Sequence, residues 1–129
     1  MQIVSVAIDA GLVATETPLA SGGRGAVRRA REFLAESFDR RPTLDEVARS
    51  AEVNKFVLIR EFRKTVGTTP HAYLVLLRLD RSRALLARGD SASDVARASG
   101  FADQAHLTRW FSRVYGVTPQ RYARQVRRA

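Results

Sequence analysis

The chain has 129 residues, enough for one domain with a sizeable core or for two small linked ones. Apolar residues make up 45% and charged residues 27%, a balance typical of folded rather than disordered proteins. The absence of cysteine excludes disulfides, thiolate metal sites and cysteine nucleophiles within these residues. A formal net charge of +9 favours a polyanionic partner, namely DNA, RNA or an acidic membrane surface.

Residues 1–22 differ in composition from the rest of the chain. They contain Asp9 and Glu16 but no Lys or Arg, so all of the basic charge lies after them. We interpret them as a leader or short extended segment of unknown role. No run approaches 18 uninterrupted apolar residues, so no membrane span is expected. The opening run also lacks the basic flank of a secretory signal, and we therefore expect a cytoplasmic protein.

The remaining sequence predicts an all-α chain. Apolar residues recur at helical spacing, and caps, glycines and prolines divide the pattern into seven helices without a convincing strand. Thr43 and Glu46 have the spacing of a capping box, and Asn54 and Asp103 stand where N-caps are expected. The predicted helices cover about residues 26–39, 44–51, 55–66, 70–88, 93–99 and 104–115, with a last short helix opening at Pro119.

The second half of the basic region repeats the first. Val47-Ala48-Arg49 recurs as Val95-Ala96-Arg97, 48 positions later. A one-residue insertion near residues 100–102 shifts the later identities to 49 positions. These later pairs are Leu58 with Leu107, Arg60 with Arg109, Phe62 with Phe111, Gly67 with Gly116, Thr69 with Thr118, Pro70 with Pro119, and Tyr73 with Tyr122. Such a series at nearly constant spacing indicates an internal repeat.

Each repeat consists of a short helix, a tight turn and a longer helix, which is the arrangement of a helix-turn-helix. The first helix of such a unit buries the inner face of the second, whose outer face is then free to enter a major groove. Spacing of i, i+4 predicts the outer face of each second helix. In the first unit this face carries Lys55, Phe56, Ile59, Arg60 and Arg63. In the second unit it carries Gln104, Ala105, Thr108, Arg109 and Ser112, with His106 near the helix start.

The helix predicted over residues 70–88 joins the two units. At 1.5 Å per residue it spans roughly 28 Å, close to the roughly 34 Å between successive major grooves on one face of DNA. This length permits one monomer to read two adjacent grooves without demanding it, and we expect binding of one monomer to an asymmetric site of two parts. The arginines of this helix are expected to be solvated or paired with Asp80 rather than to read bases. They are Arg78, Arg81, Arg83 and Arg88.

Four stretches resemble the DNA-binding domain of the AraC/XylS family. Residues 100–111 (GFADQAHLTRWF) and 115–122 (YGVTPQRY) are similar to the signature of the family's second helix-turn-helix. Residues 43–48 (TLDEVA) and 67–74 (GTTPHAYL) match its first unit and the start of its linker helix. The resemblance covers about residues 26–125. It implies a homeodomain-like all-α domain, which we place at residues 23–129, with two helix-turn-helix subdomains joined by a long helix.

The resemblance also implies sequence-specific binding to double-stranded promoter DNA and regulation of transcription, usually activation through contacts with RNA polymerase. By position it assigns base reading to Lys55, Phe56, Ile59, Arg60, Gln104, Ala105, His106, Thr108 and Arg109. Arginine suits guanine and glutamine suits adenine, whereas Phe56, Ile59 and Ala105 suit thymine methyls. Phosphate contacts are expected from Asn54, Lys64 and Arg113.

The first unit departs from the family pattern at several positions. Glu52 stands where the turn usually has glycine, although that position often needs a positive φ. Val57 replaces a usual histidine, and Lys55 with Ile59 gives an unusual reading face. We therefore expect the second unit to be the better anchored on DNA. For His106 two roles stay open, base reading on the one hand and capping or phosphate contact on the other.

Other classes of function fit the sequence less well. Only two histidines, no glycine-rich phosphate loop and no paired carboxylates are present, so we expect no enzyme, metal or cofactor. A membrane-surface helix does not need two capped repeats, and the sheet aromatics of single-strand RNA readers are missing. The remaining alternative is a helical protein-interaction module that contacts the transcription machinery. A stand-alone monomer and a fragment of a longer, dimeric regulator both stay open.

Overall fold

In a computed structural model of the chain, residues 22–128 are described, and they confirm an all-α fold without strands in that range. The helices are α1 (Gly22–Ser37), α2 (Leu44–Ala51), α3 (Lys55–Val66), α4 (Pro70–Ala87), α5 (Ala92–Ala98), α6 (Gln104–Tyr115) and α7 (Pro119–Arg128). A 3-10 turn at Phe38–Arg40 follows α1. None of these helices is long and apolar enough to cross a membrane. The leader expected over residues 1–22 lies outside the described residues except for Gly22, which begins α1.

The first helix begins four residues earlier than the sequence predicts. The prediction started α1 at Ala26 because apolar residues recur at helical spacing from there on, and glycine disfavours a helix interior by about 1 kcal/mol relative to alanine. In the structure Gly23 and Gly25 lie within α1. A Cβ at Gly23 would collide with the Glu61 carboxylate of α3. Close packing of α1 on α3 therefore accompanies residues of low helix propensity.

The described residues form two compact units, as the internal repeat predicts. The N-terminal unit comprises residues 22–37 and 41–74, and the C-terminal unit comprises residues 38–40 and 75–128. Helix α4 thus begins in the N-terminal unit and continues in the C-terminal unit. Each unit has its own buried apolar residues and its own helix-turn-helix.

The core of the N-terminal unit lies where α1 packs on α2 and α3. Leu34, Leu58 and Phe62 are among its fully buried large side chains. Phe62 meets Tyr73 edge to face, with ring centroids 5.4 Å apart, a geometry that aromatic pairs prefer. Val47, Ala48 and Ala51 bury the inner side of α2. This packing fixes the side of α3 that is left exposed.

The core of the C-terminal unit is built by α4, α5, α6 and α7. Leu79, Leu107 and Phe111 are fully buried at its centre. The Phe111 ring lies edge to face with Tyr115 and Tyr122, with centroids 4.7 and 5.5 Å apart. Burial raises the pKa of the Tyr115 hydroxyl to about 12. Aromatic and aliphatic side chains therefore pack against the inner face of α6.

Two arginines of α4 behave differently from each other. Arg83 forms the expected ion pair with Asp80, with 2.7 Å between nitrogen and oxygen. Arg78 is only 5% exposed and donates from Nε to the Phe38 carbonyl at 2.8 Å. The expectation that Arg78 is solvated or paired with Asp80 is therefore wrong. The carbonyl lies in the 3-10 turn after α1, 40 positions away along the chain.

The predicted N-caps are confirmed. Thr43 Oγ1 accepts the Glu46 N–H at 3.1 Å, while the Thr43 N–H donates to Glu46 Oε1 at 2.7 Å, a complete capping box. These hydrogen bonds hold the pKa of Glu46 below its ordinary value. Asn54 caps α3 and Asp103 caps α6, each accepting the backbone N–H three residues on. Helices α3 and α6 therefore start at the positions that the sequence predicts.

The tight turns of the two repeats share one pattern of backbone hydrogen bonds. The Val53 N–H donates to the Ala48 carbonyl at 3.2 Å, and the Phe101 N–H donates to the Ala96 carbonyl at 2.9 Å. The residue before each donor has a left-handed backbone, with φ of 62° at Glu52 and 92° at Gly100. The expected need for a positive φ at Glu52 is therefore confirmed.

Gly100 is required by space as well as by conformation. A Cβ there would lie 2.6 Å from the Phe38 carbonyl oxygen. Glu52 is exposed, so at this position the cost is conformational alone. An L-residue in the left-handed region costs about 1–2 kcal/mol.

Replacing Glu52 by glycine should therefore raise the free energy of unfolding by about 0.5–1 kcal/mol, because relief of the backbone strain exceeds the added entropy of the unfolded chain. Urea denaturation with an unchanged m-value measures the gain. The control is Glu52→Ala, which removes the carboxylate but keeps the Cβ and should not reproduce the gain. Equal stability of the two variants would show that strain at this turn is not the cause.

Candidate nucleic-acid interface

The outer face of α3 carries the residues that the sequence places there. Lys55, Phe56 and Arg60 are exposed, and Ile59 is half-buried, while Leu58 and Phe62 on the inner face have no exposed surface. The Phe56 side chain is 71% exposed, which is unusual for a residue of this size in a folded core-forming helix. The structure thus brings the four predicted readers of the first unit onto one surface.

Carboxylates lie beside two of the cations of this face, Lys55 and Arg60. Lys55 Nζ lies 4.0 Å from Asp45 Oδ1 on α2, and Arg60 Nε lies 3.2 Å from Glu61 Oε2. The Lys55 ammonium also lies 5.7 Å from the centroid of the Phe56 ring. Sequence reasoning missed these carboxylates, although Glu61 directly follows Arg60. Their presence makes the face more neutral than its lysine and arginine alone indicate.

The predicted phosphate contacts of the first unit lie at the two ends of α3. Asn54 is exposed, but its Oδ1 accepts the Val57 N–H at 2.9 Å, so that oxygen is used by the cap. Its amide nitrogen remains a donor for an anion. Lys64 is exposed in the last turn beside Arg63, which is also exposed. Both ends of the helix therefore present donors to solvent.

The outer face of α6 is more polar and carries unpaired cations. Gln104, Ala105, Arg109 and Arg113 are exposed, and Thr108 is half-buried. Arg109 and Arg113 take part in none of the ion pairs within residues 22–128. The Arg113 guanidinium lies 5.1 Å from the Trp110 ring centroid, a contact that leaves its charge uncompensated.

His106 is held by the turn that precedes it. Its Nδ1 accepts the Ala102 N–H at 3.2 Å, and its ring lies edge to face on Phe101 with centroids 5.3 Å apart. The backbone hydrogen bonds align Phe101 with Val53, so Ala102 is the inserted residue of the second turn. The insertion supplies an extra N–H, and the histidine accepts it. The first turn has no inserted residue, and Val57 stands at the position that matches His106.

His106→Ala should lower the free energy of unfolding by about 1 kcal/mol, because the Ala102 N–H loses its acceptor and the Phe101 ring loses its neighbour. Urea denaturation measures this loss. Gln104→Ala on the same helix is the control, since Gln104 is exposed and its removal should change stability by less than about 0.5 kcal/mol. A histidine variant of unchanged stability but altered base preference would contradict this structural role.

The two units define a class of protein, because each exposes the outer face of a capped helix that follows a tight turn. This is the geometry of helix-turn-helix DNA-binding proteins. A family model described as a helix-turn-helix domain matches residues 47–125. The chain belongs to the AraC/XylS-type helix-turn-helix family of DNA-binding regulators, which is not a class of enzymes.

Curated relatives agree with this assignment. YbfI of Bacillus subtilis, an uncharacterised HTH-type transcriptional regulator, is 35% identical over 76 residues, which cover 59% of this chain and 28% of that protein. The melibiose operon regulatory protein of Escherichia coli is 30% identical over 91 residues, covering 70% and 30%. The HTH-type transcriptional activator RhaS of Escherichia coli is 32% identical over 89 residues, covering 68% and 32%. The chain thus spans about a third or less of the length of these relatives.

Solved structures share the fold. An AraC-type regulator from Chromobacterium violaceum matches with a TM-score of 0.75 at 25% identity, covering 81% of this chain and 95% of that chain. The DNA-binding domain of AdpA, crystallised in complex with a target DNA, also has a TM-score of 0.75, at 24% identity and with coverage of 79% and 93%. The likeness to AdpA shows the fold alone.

Proposed function

We propose that this chain is the sequence-reading domain of a transcription regulator and inserts α3 and α6 into successive major grooves of double-stranded DNA. The repetition of one geometry carries this proposal. In each unit a fully buried leucine and phenylalanine, four positions apart, fix the inner face of the second helix. The side chains on the outer face of α3 and those on the outer face of α6 therefore occupy matching positions of the repeat. A major groove admits one α-helix and displays a distinct pattern for every base pair.

Base reading on this proposal belongs to the outer faces of α3 and α6. Exposed side chains at the first two turns of each helix reach furthest into a groove. The proposed readers are Lys55, Phe56, Ile59, Arg60, Gln104, Ala105, Thr108 and Arg109. Phosphate contacts belong to Asn54, Lys64 and Arg113, which flank these faces. His106 supports the second turn and lies beside the second face.

The role in regulation is proposed from the functions of the relatives. One relative is named a transcriptional activator and another the regulator of an operon. We infer activation of transcription through contact with RNA polymerase, in the cytoplasm, by one copy of the domain on each two-part site. Residues 1–22 precede this domain, which we assign to residues 23–129.

Selection from a random duplex library, followed by sequencing, tests the proposal with the full chain. The enriched duplex is then titrated against scrambled DNA at several salt concentrations. A two-part motif with centres about one helical turn apart supports reading by both units. A single short motif would restrict reading to one unit. Absence of enrichment, with affinity that only falls as salt rises, would overturn sequence reading and favour the helical protein-interaction module.

Arg109→Ala should relax selection at one base position and weaken binding to the enriched duplex by about 1–3 kcal/mol, because a bidentate contact to guanine is lost. Repeating the selection with the variant identifies that position. Arg124→Ala removes the same charge from the exposed face of α7 and should leave the selected motif unchanged. Equal weakening on all sequences would mean that Arg109 contacts phosphate only.

Lys64→Ala should weaken binding to enriched and scrambled duplexes alike and lower the slope of log affinity against log salt by about 1. The reason is the loss of one phosphate contact and of the counterion release that goes with it. Titrations across a salt series measure the slope. Lys64→Arg keeps the charge and should keep the slope, whereas an unchanged slope in the alanine variant would remove Lys64 from the interface.

A further inference from the structure

The two reading faces differ in chemical character. Among the described residues the large hydrophobic side chains that are exposed are Leu44, at 37%, and Phe56, at 71%. Phe56 lies in the first turn of α3, and the half-buried Ile59 follows it by three positions on the same side. The matching positions of α6 hold Ala105 and Thr108, which are smaller or more polar.

The charges around the two faces differ as well. Lys55 and Arg60 of the α3 face lie beside Asp45 and Glu61, with nitrogen–oxygen distances of 4.0 and 3.2 Å. The positions of the second repeat that match these two carboxylates hold Ser93 and Trp110. Arg109 takes part in none of the ion pairs within residues 22–128. The first two turns of α3 thus combine an exposed ring and an isoleucine with two cations that each have a carboxylate neighbour, while Arg63 in the last turn is an exposed cation outside these pairs. The matching turns of α6 are polar and cationic.

The major groove of DNA displays a single apolar group, the C5 methyl of thymine. The first two turns of α3, with an exposed phenyl ring, an isoleucine and cations that have carboxylate neighbours, are suited to that group. It is less suited to the carbonyl, ring-nitrogen and amino edges, which require hydrogen-bonding partners. Covering the Phe56 ring with methyl groups also removes from water an apolar surface that the protein itself leaves uncovered.

We propose that the N-terminal unit selects its half of the binding site through thymine methyl groups contacted by Phe56 and Ile59, while α6 selects its half by hydrogen bonds. This inference rests on the proposed function. Burial of one methyl contributes roughly 0.8 kcal/mol, which corresponds to about fourfold in affinity. Two or three such methyls account for a preference of one to two orders of magnitude.

Deoxyuridine substitution tests the inference, because uracil pairs like thymine but lacks the methyl. The duplex enriched by the full chain is resynthesised with each thymine replaced in turn, and affinities are measured at fixed salt. In the half-site of α3, one or more replacements should weaken binding about fourfold each. In the half-site of α6, mapped by Arg109→Ala, replacements should change affinity by less than about twofold, since Ala105 offers one methyl only.

Phe56→Ala links the effect to the protein side chain. Phe56 is exposed, so this variant should fold normally, which urea denaturation verifies. At one or more thymine positions of the α3 half-site, those that Phe56 contacts, the ratio of thymine to uracil affinity should fall close to one, while thymines contacted by Ile59 should keep their effect. Phe56→Leu, the conservative variant, should retain part of the ratio. The ratio should also stay constant as salt rises, because methyl burial releases no counterions.

The outcomes separate this inference from the proposed function. Tight, sequence-selective binding that is unaffected by uracil at every position overturns methyl reading and leaves the DNA-reading function intact. Insertion of the Phe56 ring between base pairs would give that same insensitivity and is therefore also excluded by a uracil effect. Uracil sensitivity that persists undiminished at every position in Phe56→Ala overturns the role of Phe56. Failure to enrich any sequence is a failure of the proposed function itself.

Discussion

The candidate interface depends on the burial of one leucine and one phenylalanine on each reading helix. Leu58 with Phe62 and Leu107 with Phe111 are fully buried, and each pair is separated by about one turn. Turning either helix to another register would expose such a pair and cost several kcal/mol of lost burial. The hydrophobic cores therefore determine which side chains face outward. Base-reading residues can change in character, as they do between the two units, without changing the fold.

The two turns show how one backbone geometry is built in two ways. In the first, Glu52 takes the left-handed conformation and no residue is inserted. In the second, Gly100 takes that conformation against the Phe38 carbonyl, and the inserted Ala102 donates to His106. The first turn is shorter and strained, whereas the second is longer and supported by a side chain. This difference gives a physical reason to expect firmer placement of α6 than of α3.

Local signals in the sequence predicted most of the fold. Caps such as Thr43 and Asp103 act within three residues, so their chemistry can be recognised directly in the sequence. The first residues of α3 and α6 followed from such caps. The predictions that were wrong concern contacts between distant residues. The early start of α1 involves packing against Glu61, and the burial of Arg78 involves a carbonyl 40 positions away. Neither contact leaves a periodic pattern.

In the candidate site, too, local features were predicted and contacts between distant residues were not. Helical periodicity predicted the outer faces of α3 and α6, because these faces lie opposite the buried residues, although Ile59, Thr108 and Ser112 are half-buried. It did not predict the carboxylates beside Lys55 and Arg60, since Asp45 approaches from another helix.

The proposed division between methyl contacts at α3 and hydrogen bonds at α6 has a consequence for the dependence of binding on ionic strength. Contacts of arginine and lysine with DNA phosphates release counterions, and this release contributes less to affinity as the salt concentration rises. Contacts between apolar groups release no counterions and do not weaken in this way. On the proposed division, affinity contributed through α6 falls with salt, while discrimination by α3 is preserved. The share of specificity carried by the N-terminal unit then rises as overall binding weakens. A regulator with two units of the same character would lose affinity and keep the balance between its half-sites unchanged.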